Sequence, residues 1–260
     1  MRLPAIHGLI RRRLLVNYRV DPAVMRSFLP EPFRPKLHGG YAIAGICLIR
    51  LEAVRPIWLP PAFGISSENA AHRIAVRWED PSGEQLEGVY IPRRDTGSWL
   101  NYFAGGRVFP GEHHLADFDV TDDGSRITMD IRARDGRMSV QLTAHESDAL
   151  PKASCFASLA EASDFFEPGR VGYSVTRDRR RLDGIELQTD AWCVRPLAVE
   201  HVGSSFFADE SSFPSGSVTF DHGLIMRDLR HQWVGVADRI TERECPAMQP
   251  AAARCGSGPA

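Results

Sequence analysis

Lysine is almost missing from these 260 residues: it occurs only at positions 36 and 152, and arginine supplies the other 29 of the 31 basic side chains. A GC-rich coding sequence produces such a bias without functional cause, but the chemical consequence stands. An amine that forms a Schiff base must be a lysine, because guanidinium stays protonated, so only these two positions could supply one. The five cysteines, Cys47, Cys155, Cys193, Cys245 and Cys255, are odd in number and show no CxxC spacing. That argues against a disulfide framework and a zinc knuckle, and they read as reduced, mostly core residues. No apolar run reaches the ~18 residues that could span a bilayer, and a formal charge of -2 lacks the basic excess that nucleic acid attracts. The basic N-terminus is broken by Pro4, His7, Gly8 and Arg11 to Arg13, which leaves no signal-peptide core, so a cytoplasmic location is expected.

What remains is ordinary globular composition, with 43% hydrophobic and 25% charged residues, enough chain for one large domain or two small ones. Leu14 to Val20 reads as a strand, followed by a short helix capped by Asp21 with Pro22 at its first position. Tyr41 to Val54 is a nearly continuous apolar run and reads as a buried strand, and the proline-rich segment after it as a loop. Arg73–Trp78 and Leu86–Ile91 form a hairpin around Asp-Pro-Ser-Gly. Ser98–Phe103 is expected to be a short helix, His114–Val120 a strand, and Arg126–Ala133 with Met138–His145 a second antiparallel pair. Ser158 and Glu161 have capping-box spacing for another short helix. Gly172–Thr176, Ile185–Val199 and Ser217–Met226 complete the strands, with Arg179 to Arg181 in a solvated turn and His201–Phe213 a loop. Strands outnumber helices, so a closed or sandwich-like antiparallel sheet with an internal cavity is expected. The domain is placed at 1–242, with 243–260 a disordered tail.

Chemistry-bearing side chains concentrate in Gly64 to His114: Glu68, His72, Arg73, Arg93, Arg94, Asp95, Arg107, Glu112, His113 and His114. They sit at the ends of short apolar runs, where strands deliver polar groups to a pocket mouth. His113 and His114 are neighbours on a strand, so one faces inward and the other outward. Arg93, Arg94 and Asp95 form either a salt-bridged turn or, through Arg94, part of an anion clamp. Glu68, His72, His113 and His114 are chemically able to hold zinc or iron, but their spacing matches no metal signature, and neither metal nor cofactor is expected. His222 reads as structural, and Ser204, Ser205, Ser211 and Ser212 show no nucleophile elbow.

NYRVDPAVMRSFLPEPF, with Tyr18, Arg19, Asp21, Arg26, Pro30, Glu31 and Pro32, resembles the opening of the acetoacetate decarboxylase-like superfamily. HRIAVRW, GVYIPRRDT and GGRVFPGEHH resemble its DUF2071 branch. The resemblance covers about residues 8 to 240 and implies a mainly β (α+β) fold, a cone-shaped antiparallel β-barrel with a few short helices. It also implies an active-site arginine at Arg11 and a site carboxylate at Glu68. The family's catalytic lysine follows a proline, whereas this chain reads Phe109-Pro110-Gly111-Glu112, so both lysines of the family motif are gone. Glu112, His113 and His114 occupy that region instead.

Two functions stay open on this reading. The first is a lysine-independent acid–base enzyme of lyase, isomerase or cyclase type, acting on a small oxo acid or polyketide-like compound. Glu68, Glu112, His113 and His114 would be the catalytic candidates, and Arg11, His72, Arg73 and Arg94 would bind the substrate. The second is a barrel that binds a small molecule without transforming it. The expected partner is a small carboxylate or oxo compound, with no nucleic acid or membrane, and a homo-oligomer is allowed for.

Overall fold

The structure is a computed structural model and describes residues 6–106, 109–176 and 179–240. The segment expected to be a tail, together with Cys245 and Cys255, lies outside the described residues, as does Arg107. Thirteen strands form one mixed sheet: β1 (Ile6–Val20), β2 (Arg34–Pro35), β3 (Leu37–His38), β4 (Tyr41–Pro56), β5 (Ile65–Glu79), β6 (Gln85–Thr96), β7 (His113–Asp122), β8 (Ile127–Ala133), β9 (Ser139–Glu146), β10 (Val171–Val175), β11 (Arg181–Thr189), β12 (Arg195–Ser204) and β13 (Val218–Ile240). Three short helices accompany it: α1 (Pro22–Phe28), α2 (Trp99–Ala104) and α3 (Leu159–Phe166).

Strand pairing closes two circuits that share one wall. β13, β1, β4, β5 and β6 form that wall, each antiparallel to the next. The larger ring returns from β6 through β7, β8, β9 and β12 to the first half of β13. The smaller ring returns from β6 through β10 and β11 to the second half of β13. Two pairings, β6 with β10 and β6 with β7, are parallel, so the sheet is not wholly antiparallel.

Several strands run further than their apolar patterns indicate. β1 starts at Ile6 rather than Leu14, which takes Arg11, Arg12 and Arg13 into the wall. β5 starts at Ile65, so Glu68 and His72 lie within a strand, not at a loop junction. β6 runs to Thr96 and holds Arg93, Arg94 and Asp95 as strand residues instead of a turn. The run Ile185–Val199 is two strands, because β11 pairs with the far half of β13 (Thr189 opposite His231) and β12 with the near half (Arg195 opposite Ile225). The chain has to cross between them. β12 itself reaches Ser204, into the segment expected to be a loop. β13 continues to Ile240, past Asp228, whose φ of 55° interrupts the alternation that ended the strand in the sequence pattern. The helices start where their caps indicate: Asp21 accepts from Ala23 N and Val24 N, Ser98 from Asn101 N, and Ser158 from Glu161 N.

Because side chains alternate across a strand, the shared wall sends Leu14, Val16, Ile46, Leu48, Ala70 and Ile74 into the larger ring's core. Leu15, Ile43, Leu51 and Ala75 join a second cluster on the other face, beneath Phe156, Phe165 and Phe166 of the α3 region. Gly45 sits where β4 presses on β1, and a Cβ there would stand 2.3 Å from the Val16 carbonyl oxygen. Gly45→Ala should therefore cost about 1–3 kcal/mol through forced backbone shifts, read as a lower denaturant midpoint. An unchanged midpoint would mean that the wall yields at this point.

Candidate active site

A cavity of about 150 Å³ opens inside the smaller ring. Its floor is Cys47 and Ile49 of β4 with Asn69 and Ala71 of β5. Val89, Ile91, Ile185 and Leu187 form apolar walls, and Asn101, Phe109, Pro110 and Trp233 also line it. The charged residues along this mostly apolar space are Arg13 from β1, Arg73 from β5, Arg94 and Asp95 from β6, and Arg170, joined by His113 from the start of β7.

Arg73 is 6% exposed. One Nη donates to Asn17 Oδ1, and the guanidinium lies over the Phe166 ring at 4.8 Å. Its Nε is buried without a partner. Burial lowers its pKa to about 10. Arg94 donates from Nε to Ser174 Oγ at 3.2 Å and leaves one Nη buried and unpartnered. Burial lowers it to about 10 as well. The cavity's fourth arginine, Arg170, is exposed; among the described residues Arg13, Arg73 and Arg94 have no carboxylate partner. The site carries positive charge in a low-dielectric pocket, where an entering anion is strongly favoured.

His113 stands opposite Arg94 in the β6–β7 register. Its Nδ1 lies 3.3 Å from the Gly111 carbonyl; since a carbonyl only accepts, Nδ1 carries the proton and Nε2 keeps its lone pair. Burial first, and Arg94 second, push its pKa down to about 3. His114 points to the other face, 3.4 Å from Asp135. Arg93 and Asp95 share that face, paired at 2.8 Å, and Arg93 also reaches Asp135. Burial raises Asp95 to about 6 even so.

The remaining expected site residues are not brought into this cavity. Glu68 and His72 do share one face of β5, but it is the face opposite Arg73. Glu68 accepts from Arg12 with both oxygens, at 3.0 and 2.9 Å, and Arg12 also donates to Asp122, which Arg227 holds in turn. Burial raises the Glu68 pKa and Arg12 opposes the rise. His72 is fully buried, 4.5 Å from the Phe206 ring, and burial lowers it to about 3. Arg11 is half exposed and paired with Glu52 and Asp228 outside the cavity, while Arg13 enters it. Glu112 is exposed beside His113. Among the described residues no group of three or more His, Cys, Asp or Glu side chains is placed to hold a metal.

Sequence reasoning did not single out Arg13, Asn17, Asn69 or Asn101. The signal for Arg13 was available: once β1 begins at Ile6, the three consecutive arginines must alternate between faces. Reading His222 as structural left out a connection, for it is fully buried, with Nδ1 2.6 Å from Asp221 and Nε2 3.0 Å from Asn17 Nδ2. Asn17 Oδ1 in turn holds Arg73.

Residues 9–220 match the profile of the family DUF2071, described as an uncharacterized conserved protein (COG2071). The chain belongs to that family. No curated protein matches it in sequence. Among solved structures it resembles acetoacetate decarboxylase from Legionella pneumophila subsp. pneumophila str. Philadelphia 1, at 12% identity and a TM-score of 0.58, over 91% of this chain and 88% of that one. An acetoacetate decarboxylase-like enzyme from Sphingomonas wittichii RW1 matches at 11% identity and 0.57, over 90% and 92%. The enduracididine biosynthesis enzyme MppR, complexed with the condensation product of pyruvate and imidazole 4-carboxaldehyde, matches at 13% and 0.58, over 92% and 90%. These likenesses carry the fold, which is acetoacetate decarboxylase-like.

The lowered histidines predict acid sensitivity. Their folded pKa values, about 3 for His72 and His113 and about 4 for His231, lie below the ordinary 6.5, so their contribution is complete above pH 6.5 and lost as the pH falls. Each adds a slope of about 1.4 kcal/mol per pH unit, opposed between about pH 6 and 3.8 by Asp95 and, in the same sense, by Glu68, whose pKa values are raised by burial. Denaturant midpoints should drop from pH 7 to pH 5, and His72→Phe should flatten the slope. An unchanged slope would show that His72 is not buried neutral.

Proposed function

We propose that this protein binds a small oxo acid in the cavity of the smaller ring and acts on it by proton transfer, as a lysine-independent enzyme of lyase, isomerase or cyclase type. The observation that carries the reading is a pair of buried guanidiniums, Arg73 and Arg94, with no carboxylate partner among the described residues, beside one neutral imidazole. A substrate carboxylate at the arginines restores their missing charge partner and brings the carbon next to an electron-withdrawing carbonyl close to His113. There Nε2 can take a proton, and Arg94 stands near the developing enolate.

An amine route finds no support. Lys36 is occupied with Glu87 and the Phe165 carbonyl, and Lys152 is exposed in the turn after β9. Gly111, where the resemblance puts the family lysine, has φ +72°, and a Cβ there would stand 2.5 Å from the Ser174 Cβ. MppR, a neighbour in fold, is described in complex with pyruvate, an acid of the proposed class.

A specific observation also favours the second reading, a ligand held without turnover. A histidine lowered to about 3 is a weak base, and Glu68, expected to return the proton, lies on the opposite face of β5. Proton NMR in deuterated buffer separates the two. With pyruvate or 2-oxobutyrate, exchange at C3 above the buffer rate should appear and vanish in His113→Phe, while Arg73→Met and Arg94→Met weaken binding at least about tenfold, or 1.4 kcal/mol. Saturable binding without exchange would select the binding reading. Absence of binding across 2-oxo and 3-oxo acids would remove both.

A further inference from the structure

The three cavity arginines carried by the shared wall, Arg13, Arg73 and Arg94, fall into two groups along it. Arg94 is opposite Ala71 of β5, and Arg73 lies two residues further along that strand. Arg13 is opposite Ile49, and Ile49 opposite Asn69. With strands ~4.8 Å apart and residues ~3.3 Å apart along them, the Arg73 and Arg94 Cα atoms are roughly 8 Å from each other, and Arg13 is roughly 16 Å from both. Cys47, Ile49, Asn69 and Ala71 lie on the floor between.

The Arg13 pole has unmet hydrogen-bonding capacity of its own. Arg13 Nε is buried without a partner, and its guanidinium is 5.9 Å from the Trp192 ring. His231, 4% exposed, packs edge-on against the cavity residue Trp233 at 4.4 Å, with Gly8 of β1 opposite it. Buried donors left unpaired are costly, and native folds keep few of them unless something binds there. A monocarboxylate seated between Arg73 and Arg94 brings a single anionic group, and Arg13, whose charge is felt by Arg73, is left without one of its own.

We propose that the ligand is a short-chain dicarboxylate bearing an oxo group, with one carboxylate at Arg73 and Arg94 and the other at Arg13. This rests on the carboxylate-binding reading above and deepens it. The first carboxylate and the carbonyl occupy the pole next to His113, the methylene chain crosses the apolar floor, and the second carboxylate closes the far pole. Arg13 then sets specificity and stays apart from the proton transfer.

Titration calorimetry on the full chain tests this with pyruvate and 2-oxobutyrate against oxaloacetate and 2-oxoglutarate. The diacids should bind at least tenfold tighter than the monoacids. Arg13→Met should erase that margin by weakening the diacids at least tenfold more than the monoacids, whereas Arg73→Met should weaken both classes; Arg13→Lys, which keeps the charge, should retain part of the margin and serves if the methionine variant does not fold. Equal affinity for the two classes, or an Arg13→Met loss equal in both, overturns the dicarboxylate assignment and leaves the carboxylate-binding reading intact. Binding of neither class overturns both.

Discussion

Period-two alternation on a wall with two interiors is the constraint on which everything else in this molecule depends. In a sheet with one buried face, a strand sends half its side chains to solvent. Here β13, β1, β4, β5 and β6 belong to two rings at once, so both faces of their central stretches are enclosed. That is why YAIAGICLIRLEAV reads as a nearly continuous apolar run, and why neighbours as unlike as His72 and Arg73 are both buried. A one-residue slip in register would exchange the contents of the two interiors, placing the Glu68–Arg12–Asp122 cluster in the cavity and its cations in the larger ring's core.

A buried guanidinium in such a wall requires support, and Arg73 obtains it without a carboxylate of its own. Asp221, which accepts from Ser154 Oγ and Cys155 N, holds His222 Nδ1. His222 Nε2 then accepts from Asn17 Nδ2, which turns Asn17 Oδ1 toward Arg73. Each link sets the donor and acceptor sense of the next, so the orientation of the arginine is determined from the far side of the wall. The charge itself stays uncompensated, because Asp221, the carboxylate of this relay, is separated from it by His222 and Asn17. Pairing Arg73 directly with Asp221 would satisfy the cation and remove its attraction for a ligand. The neutral relay fixes the geometry and leaves the charge available.

The sequence made the strands legible where one apolar pattern held and failed where the pattern changed at a bulge or a change of partner. The caps at Asp21, Ser98 and Ser158 were readable because they depend on local chemistry alone. The far half of β13 was not, since Asp228 resets the alternation, and the division of Ile185–Val199 depends on which half of β13 each piece meets. For the site, Arg73, Arg94 and His113 follow from position on short strands. Glu68 was expected in that pocket because the resemblance implies a site carboxylate there, and His72 because it stands at the end of an apolar run, yet in a strand with two buried faces one step along the chain is a change of compartment. Arg13 was hidden for a related reason: a strand begun at Leu14 leaves three arginines outside, where their faces have no meaning.

The geometry at Gly111 leaves little room for the lysine that the resemblance to acetoacetate decarboxylases would imply there. The chain around Gly111 turns with a positive φ, close against Ser174, and Ser174 holds Arg94. A side chain at 111 would have to displace the residue that orients the cavity's cation, so an amine at that point and Arg94 in its present place compete for one volume. On the proposed reading, cation and base are separate groups, with Arg94 supplying permanent charge and His113, in register with it, the lone pair. A lysine nucleophile combines both roles in one amine by trading its proton, and it needs a neighbouring cation to make that trade easy. Two side chains on adjacent strands divide the work without a covalent intermediate, which restricts such a site to substrates whose own carbonyl serves as the electron sink.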